Sequence, residues 1–97
     1  MLMSNDWKVF EPQDRAGLAA GEALMTFLNA HRNQPVRLSL RNQKRTDSRL
    51  VQLLLTATRS WAARDLGFDV ADLPTRLAQD YVRLGLNGQN TGWSGLK

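Results

Sequence analysis

The chain reads as one small α/β domain, and three observations predict it. Val36, Leu38 and Leu40 alternate with Arg37, Ser39 and Arg41, the period of a strand with one buried face. Two longer segments, around 18–28 and 50–62, carry apolar residues at helical spacing. Strand-like and helix-like segments also take turns along the chain, which implies a sheet with a parallel component covered by helices. The length of 97 residues suits a single domain, and 42% hydrophobic residues is enough to build its core.

The elements follow in order. Trp7-Lys8-Val9-Phe10 is a short apolar stretch that predicts an edge strand. Asp14 then serves as a cap for a first helix. Its residues Leu18, Gly21, Leu24, Met25 and Leu28 recur at helical spacing, with Phe27 beside them. Gly21 in mid-helix costs about 1 kcal/mol against Ala and so marks a close packing contact. Asn33-Gln34-Pro35 ends this pattern before the alternating strand.

Thr46, Asp47 and Ser48 are each able to cap a second helix running to about Leu66. Leu50, Val51, Leu54, Leu55, Thr58, Trp61 and Ala62 form its broad apolar face. Gly67 is placed to end that helix in the left-handed conformation. Phe68-Asp69-Val70 alternates as a further strand. Asp72-Leu73-Pro74 opens a last helix, with proline at its first position and Leu77, Tyr81 and Leu84 on one face. Gly85 stops it and Leu86 folds back over it. The segment 87–97, rich in Gly and Asn with Trp93 as its one aromatic, is expected to hold no regular structure.

Composition narrows the function classes. Without cysteine there is no disulfide framework and no thiolate metal site. The longest apolar run, Leu53-Leu54-Leu55, falls far short of the roughly 20 residues that span a bilayer. The N-terminus lacks the basic and apolar regions of a secretory signal, so a cytoplasmic protein is expected. His31, the single histidine, has no second histidine or cysteine to share a metal with. No nucleophile, base and acid set or phosphate-binding loop emerges either, which argues against an enzyme and against a cofactor.

At this point the residues resemble a family. Pro35 to Leu40, a short loop, then Thr46-Asp47-Ser48-Arg49-Leu50-Val51 and the helix beyond are similar to the STAS domain (sulfate transporter and anti-sigma factor antagonist), in its single-domain bacterial form. Phe68-Asp69-Val70, the Pro74 helix and Leu84-Gly85-Leu86 stand where that family has a strand, a helix and its end. The likeness covers roughly Ala16 to Leu86. It implies a small mixed sheet of about four strands with helices mainly on one side. The STAS-like domain would occupy 1–86, followed by a Gly/Asn-rich C-terminal tail, 87–97.

The resemblance also implies a regulatory module in signal transduction that binds a protein and catalyses nothing. The partner would be a kinase, an anti-sigma factor, a signalling scaffold or a transporter ATPase. Its contacts would fall on Asp47, Ser48, Arg49 and Gln52, at the turn that opens the second helix. Many family members are phosphorylated there. In the commonest pattern Asp47, Ser48 and Val51 match, while Arg49 replaces the second small residue and Leu50 the glycine. Asp47-Ser48-Arg49-Leu50 is similar to the stressosome-type pattern, phosphorylated directly after the aspartate, which makes Ser48 the candidate acceptor.

A phosphate on Ser48 would sit at a helix N-terminus and find Lys44, Arg45 and Arg49 nearby in sequence. The plainer role of Ser48, or of Asp47, is a helix cap worth about 1 kcal/mol; the two roles are compatible. Two alternatives stay open beside the switched module. One is a constitutive subunit of a transporter or signalling complex, which Arg49 would suit. The other is a nucleic-acid-binding protein using the basic segment 37–49, where Arg37, Arg41, Lys44, Arg45 and Arg49 face only Asp47. That segment lacks the interleaved aromatics of single-strand binders.

Overall fold

The computed structural model describes residues 7–12 and 18–96. Strand β1 (Lys8–Phe10), helix α1 (Leu18–Ala30), strand β2 (Val36–Ser39), helix α2 (Ser48–Ala63), strand β3 (Phe68–Ala71) and helix α3 (Thr75–Arg83) alternate as the sequence predicts. A short helix α4 (Gly88–Thr91) and a 3₁₀ turn (Ser94–Leu96) follow. The Asp14 cap lies outside the described residues.

The strands pair in the order β1-β2-β3, all parallel, with Phe10 opposite Leu38 and Leu38 opposite Val70. The expected mixed sheet of about four strands is therefore corrected to a parallel sheet of three among the described residues. Among the described residues after Leu86 no further strand joins the sheet. Asn87 caps α4, accepting from the backbone N–H groups of Gln89 and Asn90.

A strand order that never reverses sends both crossovers the same way, and a fixed crossover hand then puts α1 and α2 on one face. Side chains bear this out. Phe27 of α1 stacks on Phe10, and Trp61 of α2 meets Phe68, with ring centroids 4.8 and 5.7 Å apart. Val36, Leu38, Leu40 and Val70 are wholly buried beneath these helices, together with Leu24, Leu54 and Tyr81. On the opposite face Arg37 and Asp69 pair at 3.2 Å, and Asp72 accepts from Ser39 at 2.7 Å and Arg41 at 3.1 Å.

Helix ends show one expectation met and one moved. At α3, Gly85 is left-handed (φ 91°), Gly85 N–H bonds Val82 O and Leu86 N–H bonds Tyr81 O, as a glycine-terminated helix requires. Leu84 itself is 57% exposed, because the helix turns it off the apolar face as it ends. At α2 the left-handed residue is Asp65 (φ 59°), and the same bond pair runs from Asp65 to Ala62 and from Leu66 to Trp61. That ends α2 at Ala63, and Ala62, expected on the apolar face, is exposed.

Gly67 is thus not a helix stop. A Cβ there would stand 2.5 Å from the Trp7 ring, so glycine makes room for that indole. Trp7 in turn lies under the Arg37 guanidinium, 4.9 Å from the ring centroid.

The segment 87–97 is expected to be irregular, but its described residues, 87–96, close the edge of β3. Val36 N–H bonds Gly67 O and Leu40 N–H bonds Ala71 O, so the carbonyl of Val70 between them points away from β2. Gly95 packs against it: a Cβ at 95 would come within 3.0 Å of that oxygen and would overlap the Leu73 side chain. Trp93 is fully buried on the helix side against Tyr81, while Ser94 bonds Asp69 on the opposite face. The tail therefore wraps an edge that would otherwise be open to another strand.

Candidate functional site

The loop from β2 to α2 carries the residues that sequence reasoning singles out. Two anchors hold it. Buried Gln43 donates to the Pro12 carbonyl at 3.3 Å, and Thr46 Oγ1 donates to Asp80 of α3 at 2.8 Å. Asp47 then adopts the extended backbone of an N-cap (φ −117°, ψ 114°), and its Oδ1 accepts from Arg49 N–H at 2.9 Å.

The cap is consequently Asp47, and Ser48 is the first helical residue. Its hydroxyl is exposed and makes no side-chain hydrogen bond among the described residues. Arg49 and Gln52 are exposed one turn apart along the helix, and Lys44 and Arg45 are exposed in the loop before it.

Tyr81 lies below this turn. It is wholly buried, and its hydroxyl has no hydrogen-bond partner among the described residues. Burial, and secondarily the Asp47 charge, push its pKa well above the usual tyrosine value. The phenol beneath the cap therefore stays neutral at neutral pH.

Beside the turn, α1 and α2 run side by side in the same direction and leave a groove of about 810 Å3 between them. Met25, Leu50 and Leu53 form its apolar lining, and Asp47, Ser48, Arg49 and Gln52 stand at one end. Gly21 sits at the wall rather than in a tight contact. A Cβ there would meet only Leu53 Cδ1, at an ordinary 3.5 Å. The contribution of α1 is what sequence reasoning missed. Met25 reads as part of the core stripe, yet it is 41% exposed and faces the groove.

The basic segment 37–49 is divided by the fold. Arg37 pairs with Asp69, and Arg41 pairs with Glu11 and Asp72, both at 3.1 Å, on the far face of the sheet. Of the three candidate anion-pairing residues, Arg49 lines the groove beside Ser48, while Lys44 and Arg45 are not part of its lining.

His31 is used locally: its Nδ1 lies 2.7 Å from Gln34 Oε1 and its ring packs on Phe27. Among the described residues no group of three or more His, Asp or Glu side chains is placed to hold a metal ion. No described helix is long and apolar enough to cross a membrane. No family model, curated protein or solved structure matches the chain.

Proposed function

We propose that this domain is a STAS-like regulatory module that binds a protein partner through the Asp47–Gln52 turn and the outer side of α2, and that phosphorylation of Ser48 switches the binding. The observation that carries the reading is the division of labour at the turn. Asp47 alone caps α2, so the neighbouring Ser48 hydroxyl is left exposed at the mouth of an apolar groove. A partner kinase would move the γ-phosphoryl of ATP to Ser48 Oγ, the hydroxyl losing its proton and ADP leaving.

The phosphate would bring nearly two negative charges to a helix N-terminus beside Arg49, making the surface a partner meets more negative. The one-sided helix layer and the turn at the carboxyl end of β2 support the family resemblance, while the three-stranded parallel sheet departs from the mixed sheet of about four strands that it implies. The cytoplasmic setting belongs to the same proposal.

The test is affinity capture from the native host's lysate with wild-type protein and with Ser48→Glu, joined to phosphopeptide analysis of the protein purified from that host. A kinase or sigma-pathway protein held by the wild type and lost by Ser48→Glu supports the switch. A partner held equally by both, with Ser48 unmodified under all growth conditions, replaces the switch with a constitutive subunit. Capture of nucleic acid alone, released by moderate salt, overturns the reading.

A further inference from the structure

The groove beside Ser48 does not end at the middle of α2. A second, smaller cavity of about 160 Å3 continues it toward the carboxyl ends of both helices, sharing Met25, Asn29, Leu53 and Thr56 with the first. The combined channel runs from Arg49 to Arg64, 15 residues along α2, or about 22 Å at the helical rise. Its middle is apolar, its far end carries Arg32 and Arg64 with no carboxylate in the lining, and its near end carries Arg49 alongside Asp47 and Glu22.

Arg49 stands at one end and Arg32 at the other, and neither guanidinium has a partner among the described residues. Arg64, beside Arg32, donates to the Arg32 carbonyl at 2.9 Å and lies over the Trp61 ring. The anions of the lining are Asp47, committed to the cap, and Glu22, on the α1 wall.

Resting on the binding reading above, we infer that the channel seats one amphipathic α-helix of an acidic partner, with its apolar stripe on Met25 and Leu53 and a carboxylate at each end against Arg49 and Arg32. The shape is that of a helix-in-groove site, where anchors at i, i+3, i+4 and i+7 supply the contact. The length fits about four turns. Charge complementarity sets the choice of partner, since a helix with basic ends would meet two unpaired cations. The same arrangement explains how Ser48 would act: a phosphate there neutralises Arg49 and repels the carboxylate that Arg49 would otherwise receive.

The probes are two synthetic helical peptides of about 16 residues with the same leucine stripe, one ending in glutamates and the other in lysines. Each is titrated into the ¹⁵N-labelled full chain. The glutamate-ended peptide should bind about tenfold more tightly, with amide shifts concentrated at Met25, Leu53 and Thr56. Exchanging both cations in Arg32→Glu/Arg49→Glu should reverse the order. Both positions are exposed, and an unchanged circular dichroism spectrum confirms the fold.

Equal affinities, an order that survives the double substitution, no saturable binding of the glutamate-ended peptide, or shifts confined to the Arg37 face of the sheet would each overturn the inference. The outcome separates from that of the switch. Loss of a partner by Ser48→Glu with no charge preference here defeats the inference alone. A clear charge preference with a partner indifferent to Ser48→Glu defeats the switch alone.

Discussion

The indole N–H of Trp93 donates to Thr58 Oγ1 at 2.9 Å, joining the last turn of the chain to the middle of α2 across 35 positions. Thr58 passes the bond on, its hydroxyl donating to the Leu54 carbonyl at 2.7 Å. Trp93 is wholly buried against Tyr81, so the C-terminal segment supplies the largest of the fully buried side chains. Trp93→Ala should cost about 3–5 kcal/mol, and Trp93→Phe less, since it keeps most of the apolar contact. Urea unfolding followed by circular dichroism measures both. Equal, small losses would mean that the tail does not contribute to the core.

Asp69 ties the same tail to the opposite face. It is 7% exposed and receives Ser94 N–H and Ser94 Oγ, both at 2.6 Å, besides Arg37. Burial pushes its pKa up, but the Ser94 bonds and the Arg37 guanidinium together hold it below the usual carboxylate value. Asp72 is lowered too, by its bonds from Ser39 and Arg41. With folded pKa values below the unfolded value of about 3.9, the unfolded chain binds more protons in that interval. The stabilisation from these carboxylates is complete above the unfolded value and is lost as pH falls through the folded ones. Acid titration of stability should show this loss below about pH 4, and Asp69→Asn should flatten it while costing about 2 kcal/mol at neutral pH.

Tyr81 gives the opposite sign. Its raised folded pKa means that stability is complete below the unfolded value of about 10 and declines as pH rises beyond it, because only the unfolded chain ionises readily. Tyr81→Phe removes a buried hydroxyl without a partner. It should therefore stabilise the fold by about 1 kcal/mol and shift the alkaline limit upward. Thermal melts between neutral pH and about pH 11 would show a loss of stability instead if the hydroxyl were satisfied.

The assignment of the α2 cap is tested by two substitutions. Asp47→Ala should cost about 1 kcal/mol, whereas Ser48→Ala, whose hydroxyl bonds nothing among the described residues, should change stability by less than about 0.5 kcal/mol. The reverse order, read from chemical unfolding, would make Ser48 the cap and remove the free hydroxyl on which the proposed switch depends.

Much of the fold is legible where a local rule has no competitor. The alternation through Val36–Leu40 is the strand with the most complete burial, and Gly85 ends α3 by the predicted bonds. Gly67 shows where a local rule misleads. The expected role of ending α2 falls to Asp65, and the role Gly67 has instead, clearance for the Trp7 ring, involves a residue 60 positions away. Met25 fails similarly: helical spacing places it near the core stripe, but whether a stripe-edge residue is covered depends on how closely α1 and α2 approach.

The candidate site divides along the same line. The family resemblance pointed to Asp47, Ser48, Arg49 and Gln52 at the turn that opens the second helix, and the structure gathers them at one end of the α1–α2 groove. Arg32 was not among them, because nothing near it in sequence links it to that turn.

What the sequence by itself determined is the succession of strands and helices from β1 to α3, and the turn at which α2 begins, because side-chain periodicity and capping act over a few residues. Only the tertiary structure decided that Arg37 and Arg41 are paired on the far face and that Trp93 joins the core. Each of those outcomes depends on which partner a side chain reaches across the folded chain, and burial, ion pairing and hydrogen-bond satisfaction are properties of that meeting rather than of either residue alone.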